Sequence, residues 1–327
     1  MPTFEEKLSF FKQQIVERIA RAIDSETPVS LYEPIKYTMQ GGGKRLRPVL
    51  LLLTVEALGG DVQAAMPAAV AVELLHNFTL VHDDIMDNDA TRRGRATVHE
   101  KWDTSVALLA GDGLVALAYQ TLLSTQSPHT LRISRLFTTA LIDLCKGQAL
   151  DREFETRDDV SMDEYLDMIS KKTARLLSLC AQMGAILANG TEDQVQALKV
   201  YGESLGMAFQ IQDDLLDITA DPEKLGKDFG SDIRQKKKTF LLVHALRQAS
   251  PKQKQQLMDY LDREAIDDAE VIRIRDLFED IGTLSEAKAA VQRYIKIAED
   301  SLTPIEKVHA STDSLKDLLR LVQQRQA

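Results

Sequence analysis

The chain is short of several things that would mark other kinds of protein. It has two cysteines, Cys145 and Cys180, in 327 residues. Their spacing suits neither a metal site nor a redox pair, so both are expected to be buried as small apolar side chains in a reducing compartment. Aromatic residues make up 6%, prolines number nine and hydrophobic residues reach 44%, a balance that fits a helical protein with ample core. No Pro/Gly/Ser-rich linker divides it, so a single domain over residues 1–327 is expected, although the length would accommodate two. No uncharged apolar run reaches the length of a membrane span; the longest, Leu108 to Ala118, is interrupted by Gly111-Asp112-Gly113. Phe4 to Asp24 reads as a charged amphipathic helix with no signal-peptide core, and the expectation is a soluble, cytoplasmic protein. Basic residues are outnumbered, 40 against 50 acidic, and the net charge of −10 argues against nucleic acid as a partner. An anionic small molecule stays open, because local cations or bound metal decide that.

What is present starts with acid. Asp83, Asp84 and Asp87 lie in the apolar, helix-compatible stretch from Glu73. On a helix Asp83 and Asp87 are i and i+4, so their carboxylates share a face and repel unless neutralised. Mg²⁺ would neutralise them, since it takes one or two carboxylates together with substrate phosphates. Alone, such a cluster is ordinarily a solvated helix end favoured by the dipole. Asp213, Asp214 and Asp217 repeat the spacing in a second apolar helix, with Gln210 one turn earlier on the same face. Two clusters facing each other would enclose a multi-metal site.

Gly41-Gly42-Gly43 should end a helix that starts near Ser30 and let backbone N–H groups approach an anion. Lys44 and Arg47 add cations beside that loop, and Pro48 suits the first turn of the next helix. Coupled to the acidic clusters, this reads as a diphosphate site. Arg92-Arg93, in a polar loop from Asn88 to Val98, can fork onto two neighbouring diphosphates.

The paired acidic motifs with Gly42-Gly43-Lys44-Arg45-Leu46-Arg47-Pro48 resemble the trans-isoprenyl diphosphate synthases, head-to-tail prenyltransferases of the farnesyl and geranylgeranyl type, from about Tyr32 to Leu246. The resemblance implies an all-α fold: a single large antiparallel helical bundle around a central cavity. It implies Mg²⁺, three ions per site, with Mn²⁺ as a substitute, held by Asp83, Asp84, Asp87, Asp213, Asp214 and Asp217. Isopentenyl diphosphate would be held by Lys44, Arg47, His76 and Arg93, and the allylic diphosphate by Arg92. Lys172 and Thr173 match the family's Lys-Thr pair. Lys227 and Lys237 match its diphosphate-contacting lysines, although Lys236 stands where a glycine is usual. Catalysis would rest on Asp83, Asp84, Asp87, Arg92, Lys172 and Asp213, with the released diphosphate as base. A homodimer is also implied.

In relatives the residues just upstream of the first acidic motif form the floor that limits product length. Here these are Leu75, Phe78 and Thr79, eight, five and four residues before Asp83. An aromatic ring at Phe78 and a two-residue spacer in the motif resemble geranylgeranyl synthases, with farnesyl and longer products as alternatives. A terpene cyclase would not need the glycine-lysine loop, and a non-catalytic partner subunit would typically lose one acidic motif. An acidic bundle with incidental motifs leaves the loop and the paired arginines unexplained.

The remaining chain reads as helices at Pro48–Leu58, Ala64–Met86, Thr104–Leu123 (kinked or broken near Gly111-Asp112), Leu131–Asp151, Met162–Leu187 and Asp193–Ile218. A charged loop follows from Thr219 to Thr239, placed to act as a lid. Four or five amphipathic helices complete the chain.

Overall fold

The computed structural model describes residues 3–219, 229–306 and 311–324. It is built almost wholly of helices and divides into two compact units. Unit 1 takes Met1–Thr138, Leu179–Lys199 and Thr303–Asp317; unit 2 takes Thr139–Ser178, Val200–Leu302 and Leu318–Ala327.

In unit 1, α1 (Phe4–Ala22) opens on a capping box between Thr3 and Glu6 and buries Phe11, Ile15 and Ile19 at helical spacing. Next come α2 (Val29–Met39), α3 (Leu46–Ala57) and α4 (Val62–Met86). Asp61 caps α4 by accepting from the N–H groups of Gln63 and Ala64. The helix is apolar on nearly every side, and it packs against α1, α2, α3 and α6 (Thr104–Leu123). A strip apolar all round must be buried, which makes α4 the axis of this unit. The short helix Val98–Lys101 also packs on α6. By length and hydropathy α4 and α6 could cross a membrane once a charged residue is tolerated, but most of α4 is buried inside the unit.

Unit 2 contains most of α7 (Thr130–Glu155), α8 (Met162–Ile169), the π-helical turn Ser170–Ala174 and most of α10 (Glu192–Thr219). Between the last two in the chain comes α9 (Arg175–Leu187), which belongs to unit 1 from Leu179 on. Phe240–Gln248 packs against α8 and Thr283–Ser301, and Asp268–Asp280 packs on Thr283–Ser301. Pro251–Leu261, the short Thr303–Glu306 and Asp313–Gln323 are the other described helices of this part of the chain, where four or five amphipathic helices are expected; Thr303–Asp317 belongs to unit 1.

Three expectations need correcting. Helix α6 runs unbroken through Gly111. A Cβ there would lie 2.1 Å from His82 Nε2, so the glycine admits a neighbouring side chain and breaks nothing. The segment after Asn88 is an antiparallel hairpin, Thr91–Arg92 with Arg95–Ala96, and not simply a loop. Cys145 is exposed; only Cys180 is buried.

Full burial pushes the Cys180 thiol up from its usual range, and partial desolvation by neighbouring groups raises the exposed Cys145 by less. A raised pKa means less thiolate at a given pH, hence slower alkylation. Mass spectrometry after iodoacetamide treatment at about pH 8 should find Cys145 labelled, more slowly than a free thiol, and Cys180 labelled only after unfolding. Native labelling of Cys180 at a similar rate would show that its surroundings open.

Candidate functional site

In unit 1 the glycine loop links α2 to α3. Gly42 and Gly43 have φ of +75° and +119°, and a Cβ on Gly43 would lie 2.7 Å from Arg93 Nη1. Only glycine fits there without displacing that guanidinium. Arg45 follows with φ +51°, a left-handed conformation costing a non-glycine residue about 1–2 kcal/mol. Its guanidinium offsets this by pairing with Glu73 of α4 through Nη1 and donating through Nη2 to Met39 O at 2.6 Å. Both side chains are 3% exposed. Asn77 donates to Glu73 Oε1 at 3.1 Å, one turn further along α4.

His76 shares that face. Arg47 Nη1 lies 3.1 Å from His76 Nε2. A guanidinium can only donate, so Nε2 accepts and the imidazole proton is on Nδ1. Burial first, then Arg47, Arg93, Arg45 and Arg92, hold the His76 pKa well below its usual value, leaving a neutral ring. Lys44 is exposed at the loop.

The hairpin turns at Arg93-Gly94, both at positive φ as a type I′ turn requires. From the turn Arg93 Nη1 donates to Gly42 O at 2.6 Å, joining hairpin to glycine loop. Burial, then Arg45, lowers the Arg93 pKa. Arg92 donates from Nε to the Asp84 carboxylate. Burial raises the Asp84 pKa to about 6, with Arg92 acting in the opposite sense. An open cleft of ≈ 410 Å³ lies here, lined among others by Asn77, Asp84, Arg92, Arg93 and Arg95.

Asp83 lies in the last turn of α4 and Asp87 is its C-cap. Both acidic clusters occur at helix C-terminal ends, where the dipole disfavours negative charge. They are therefore not the dipole-favoured surface that an acidic helix end usually is. Upstream, Leu75 is fully buried, Thr79 donates to His76 O at 2.8 Å, and the half-buried Phe78 ring meets His82 at 4.8 Å between centroids.

In unit 2 the π turn carries Lys172 and Thr173. A Cβ on Gly147 of α7 would come within 2.4 Å of Lys172 N, and one on Gly206 of α10 within 2.4 Å of Ala174 Cα. Two bare helix surfaces thus clasp the turn. Lys172 Nζ donates to Asp151 Oδ2 at 2.5 Å. Thr173 Oγ1 donates to Gln210 Oε1 at 2.8 Å, and Gln210 Nε2 donates to Asp214 Oδ1 at 2.9 Å. The other Asp214 oxygen accepts from Tyr165 Oη at 2.5 Å and from Phe240 N at 2.9 Å. Burial pushes Asp214 up to about 6 while these donors act the other way. Asp217 accepts from Ser231 Oγ at 2.8 Å and Asp232 N at 3.2 Å. Lys237 closes that turn, its N–H donating to Asp232 O at 2.9 Å. Lys227 lies outside the described residues.

Among the described residues no three carboxylate, imidazole or thiol groups are already gathered around one point. The donor chemistry nonetheless fits a hard cation: two i,i+4 carboxylate pairs, Asp83/Asp87 and Asp213/Asp217, at helix ends in need of positive charge. Sequence reading missed Glu73, Asn77, Asp151 and Tyr165. Glu73 was detectable as a lone charge in an apolar helix; Tyr165 gives no local signal.

The same helical fold is found in a geranylgeranyl pyrophosphate synthetase from Pyrococcus horikoshii, at 37% identity and TM-score 0.89, covering 99% of each chain. A geranylgeranyl diphosphate synthase from Sulfolobus acidocaldarius is 38% identical over 93% of each chain. A geranylfarnesyl diphosphate synthase from Natronomonas pharaonis is 38% identical over 85% of each chain. Fold and motifs thus define an all-α enzyme of the prenyl synthase class. The family model for polyprenyl synthetase matches residues 28–278, and the chain belongs to that family.

Glu73→Ala would leave Arg45 charged and buried, at an expected cost of about 3–5 kcal/mol in urea unfolding. The double variant Arg45→Met/Glu73→Leu should recover most of that loss. A cost for Glu73→Ala under about 1 kcal/mol would show that the pair does not support the loop.

Proposed function

We propose that this protein condenses isopentenyl diphosphate with an allylic diphosphate, head to tail, with geranylgeranyl diphosphate as the main product. The observation that carries this is the Arg93–Gly42 contact. It brings the arginine hairpin to the glycine loop beside the neutral His76, at the end of α4 that bears the first acidic cluster.

Lys44, Arg47, His76 and Arg93 hold isopentenyl diphosphate in this reading. Arg92, Lys172, Lys227 and Lys237 hold the allylic diphosphate, with Thr173 and Gln210 orienting the second cluster. Magnesium ions, three per site and replaceable by manganese, would be held by Asp83, Asp84, Asp87, Asp213, Asp214 and Asp217 and would supply countercharge to the leaving diphosphate. Arg92 donates to Asp84; Tyr165, Gln210 and the Phe240 amide donate to Asp214; and Ser231 and the Asp232 amide donate to Asp217, so each cluster is oriented by the protein. As the allylic C–O bond breaks, negative charge grows on diphosphate oxygens, where preorganised cations stabilise it most. The isopentenyl double bond then attacks the allylic cation. Loss of a proton to the released diphosphate gives the product lengthened by one isoprene unit.

Chain growth is limited by Phe78, with Leu75 and Thr79 beside it. We further propose a single catalytic domain and a cytoplasmic homodimer. The adjacent exposed Leu108 and Leu109 of α6, at 46% and 58% exposure, offer apolar side chains for a second copy.

The test supplies labelled isopentenyl diphosphate and Mg²⁺ with dimethylallyl, geranyl or farnesyl diphosphate. The expected outcome is a ladder ending at geranylgeranyl diphosphate, abolished by chelator and lowered at least about a thousandfold in kcat by Asp83→Ala or Asp213→Ala. Phe78→Ala should lengthen the products. An unchanged profile would remove Phe78 from the stop role, and no elongation from any starter would favour a partner subunit or a cyclase.

A further inference from the structure

Tyr37, on the last turn of α2, belongs to none of the motifs above. The Arg95 guanidinium lies 3.9 Å from its ring centroid and the Lys101 ammonium 4.0 Å. Trp102 meets the ring edge-on, 5.2 Å between centroids at 80°. The Tyr37 hydroxyl donates to Ala96 O at 2.8 Å, and its own carbonyl accepts from Arg95 Nη1 at 3.2 Å. One residue thus holds the second hairpin strand and the short helix after it against the helix that leads into the glycine loop.

The choice of an aromatic ring has an electrostatic reason. Arg92, Arg93 and Arg95 are crowded within four positions and repel one another. A carboxylate at position 37 would relieve that repulsion, but its full negative charge would also oppose an incoming anion. The face of a phenol ring attracts cations through its quadrupole while carrying no net charge. Arg95 and Lys101 thus gain a partner that adds no negative charge next to Arg92 and Arg93.

We propose that Tyr37 is a positioning residue for diphosphate capture, anchoring the hairpin that presents Arg92 and Arg93 beside the glycine loop. This rests on the diphosphate reading of that site. The test compares Tyr37→Leu and Tyr37→Phe with wild type by calorimetric binding of inorganic diphosphate with Mg²⁺, by KM and kcat for isopentenyl diphosphate, and by amide hydrogen exchange.

Tyr37→Leu should weaken diphosphate binding and raise KM about tenfold, leaving kcat within about threefold. Amides 91–97 should exchange faster while those of α4 do not. Tyr37→Phe keeps the ring and should restore most of the binding. Binding and KM within about twofold of wild type in Tyr37→Leu would overturn the proposal. So would a joint fall of kcat and α4 protection, which marks general destabilisation. If wild type binds diphosphate but elongates nothing, the condensation reading fails and Tyr37 is judged on binding and exchange. If wild type does not bind diphosphate, both fall.

Discussion

The buried ion pair between Arg45 and Glu73 constrains the first unit more than any other contact. Removing two charges from water costs several kcal/mol per ion, so such a pair persists only with good geometry and further hydrogen bonds. Here Met39 O and Asn77 supply one to each partner, while Arg45 Nε and Glu73 Oε2 are buried without one. The pair fixes Arg45 in a left-handed conformation, which sets where the chain leaves the glycine loop and how Arg47 reaches His76. It also brings one compensated cation into a region that already holds Arg47, Arg92 and Arg93. Asp84, also on α4 and buried, pairs with Arg92, so Glu73 and Asp84 are the buried counterions that α4 brings to this region. Burial first, and the neighbouring arginines second, hold the His76 and Arg93 pKa values down.

A parallel logic governs the second unit, with the sign reversed. There Asp214 is the buried charge, and a tyrosine hydroxyl, a glutamine amide and a backbone N–H converge on it. The same network reaches Thr173, so the π turn and the second acidic cluster share one set of hydrogen bonds. A π turn replaces regular i→i−4 bonding and is poor in isolation. The clasp by Gly147 and Gly206 holds it where Lys172 meets Asp151. In both units the middle aspartate of the motif is engaged by the protein itself, Asp84 by Arg92 and Asp214 by its three donors. Of the flanking i,i+4 pairs, Asp217 is likewise held, by Ser231 and the Asp232 amide.

Helix existence and most boundaries were legible in the sequence because burial has a period. Phe11, Ile15, Ile19 and Ile23 announce α1, and the apolar run after Pro48 announces α3. The acidic clusters, glycine loop and paired arginines were legible because their chemistry is local. What escaped depends on tertiary contact. Gly111 looked like a helix breaker because nothing local shows that His82 needs its space. The hairpin escaped because each strand is only two residues long and its signal lies in the dihedrals of Arg93 and Gly94. Exposure of Cys145 depends on which side of α7 faces solvent, and a single polar-apolar position does not fix that.

The missed residues have a common trait. Glu73, Asn77, Asp151 and Tyr165 each act by holding another side chain whose role the motif already suggested, and Tyr37 is proposed to do the same. Motifs record the groups that meet the ligand because their type and spacing are fixed by its chemistry. Supporting groups need only reach a partner, and many residue types at many positions can do so. Their spacing therefore carries little information until the chain is folded. Here geometry supplies it: Tyr37 lies between two cations, Tyr165 reaches a buried carboxylate, and Glu73 meets the arginine beside the glycine loop. Substitutions at these positions should act through the arginines, lysines and aspartates they hold, so their effects will depend on whether those partners are intact.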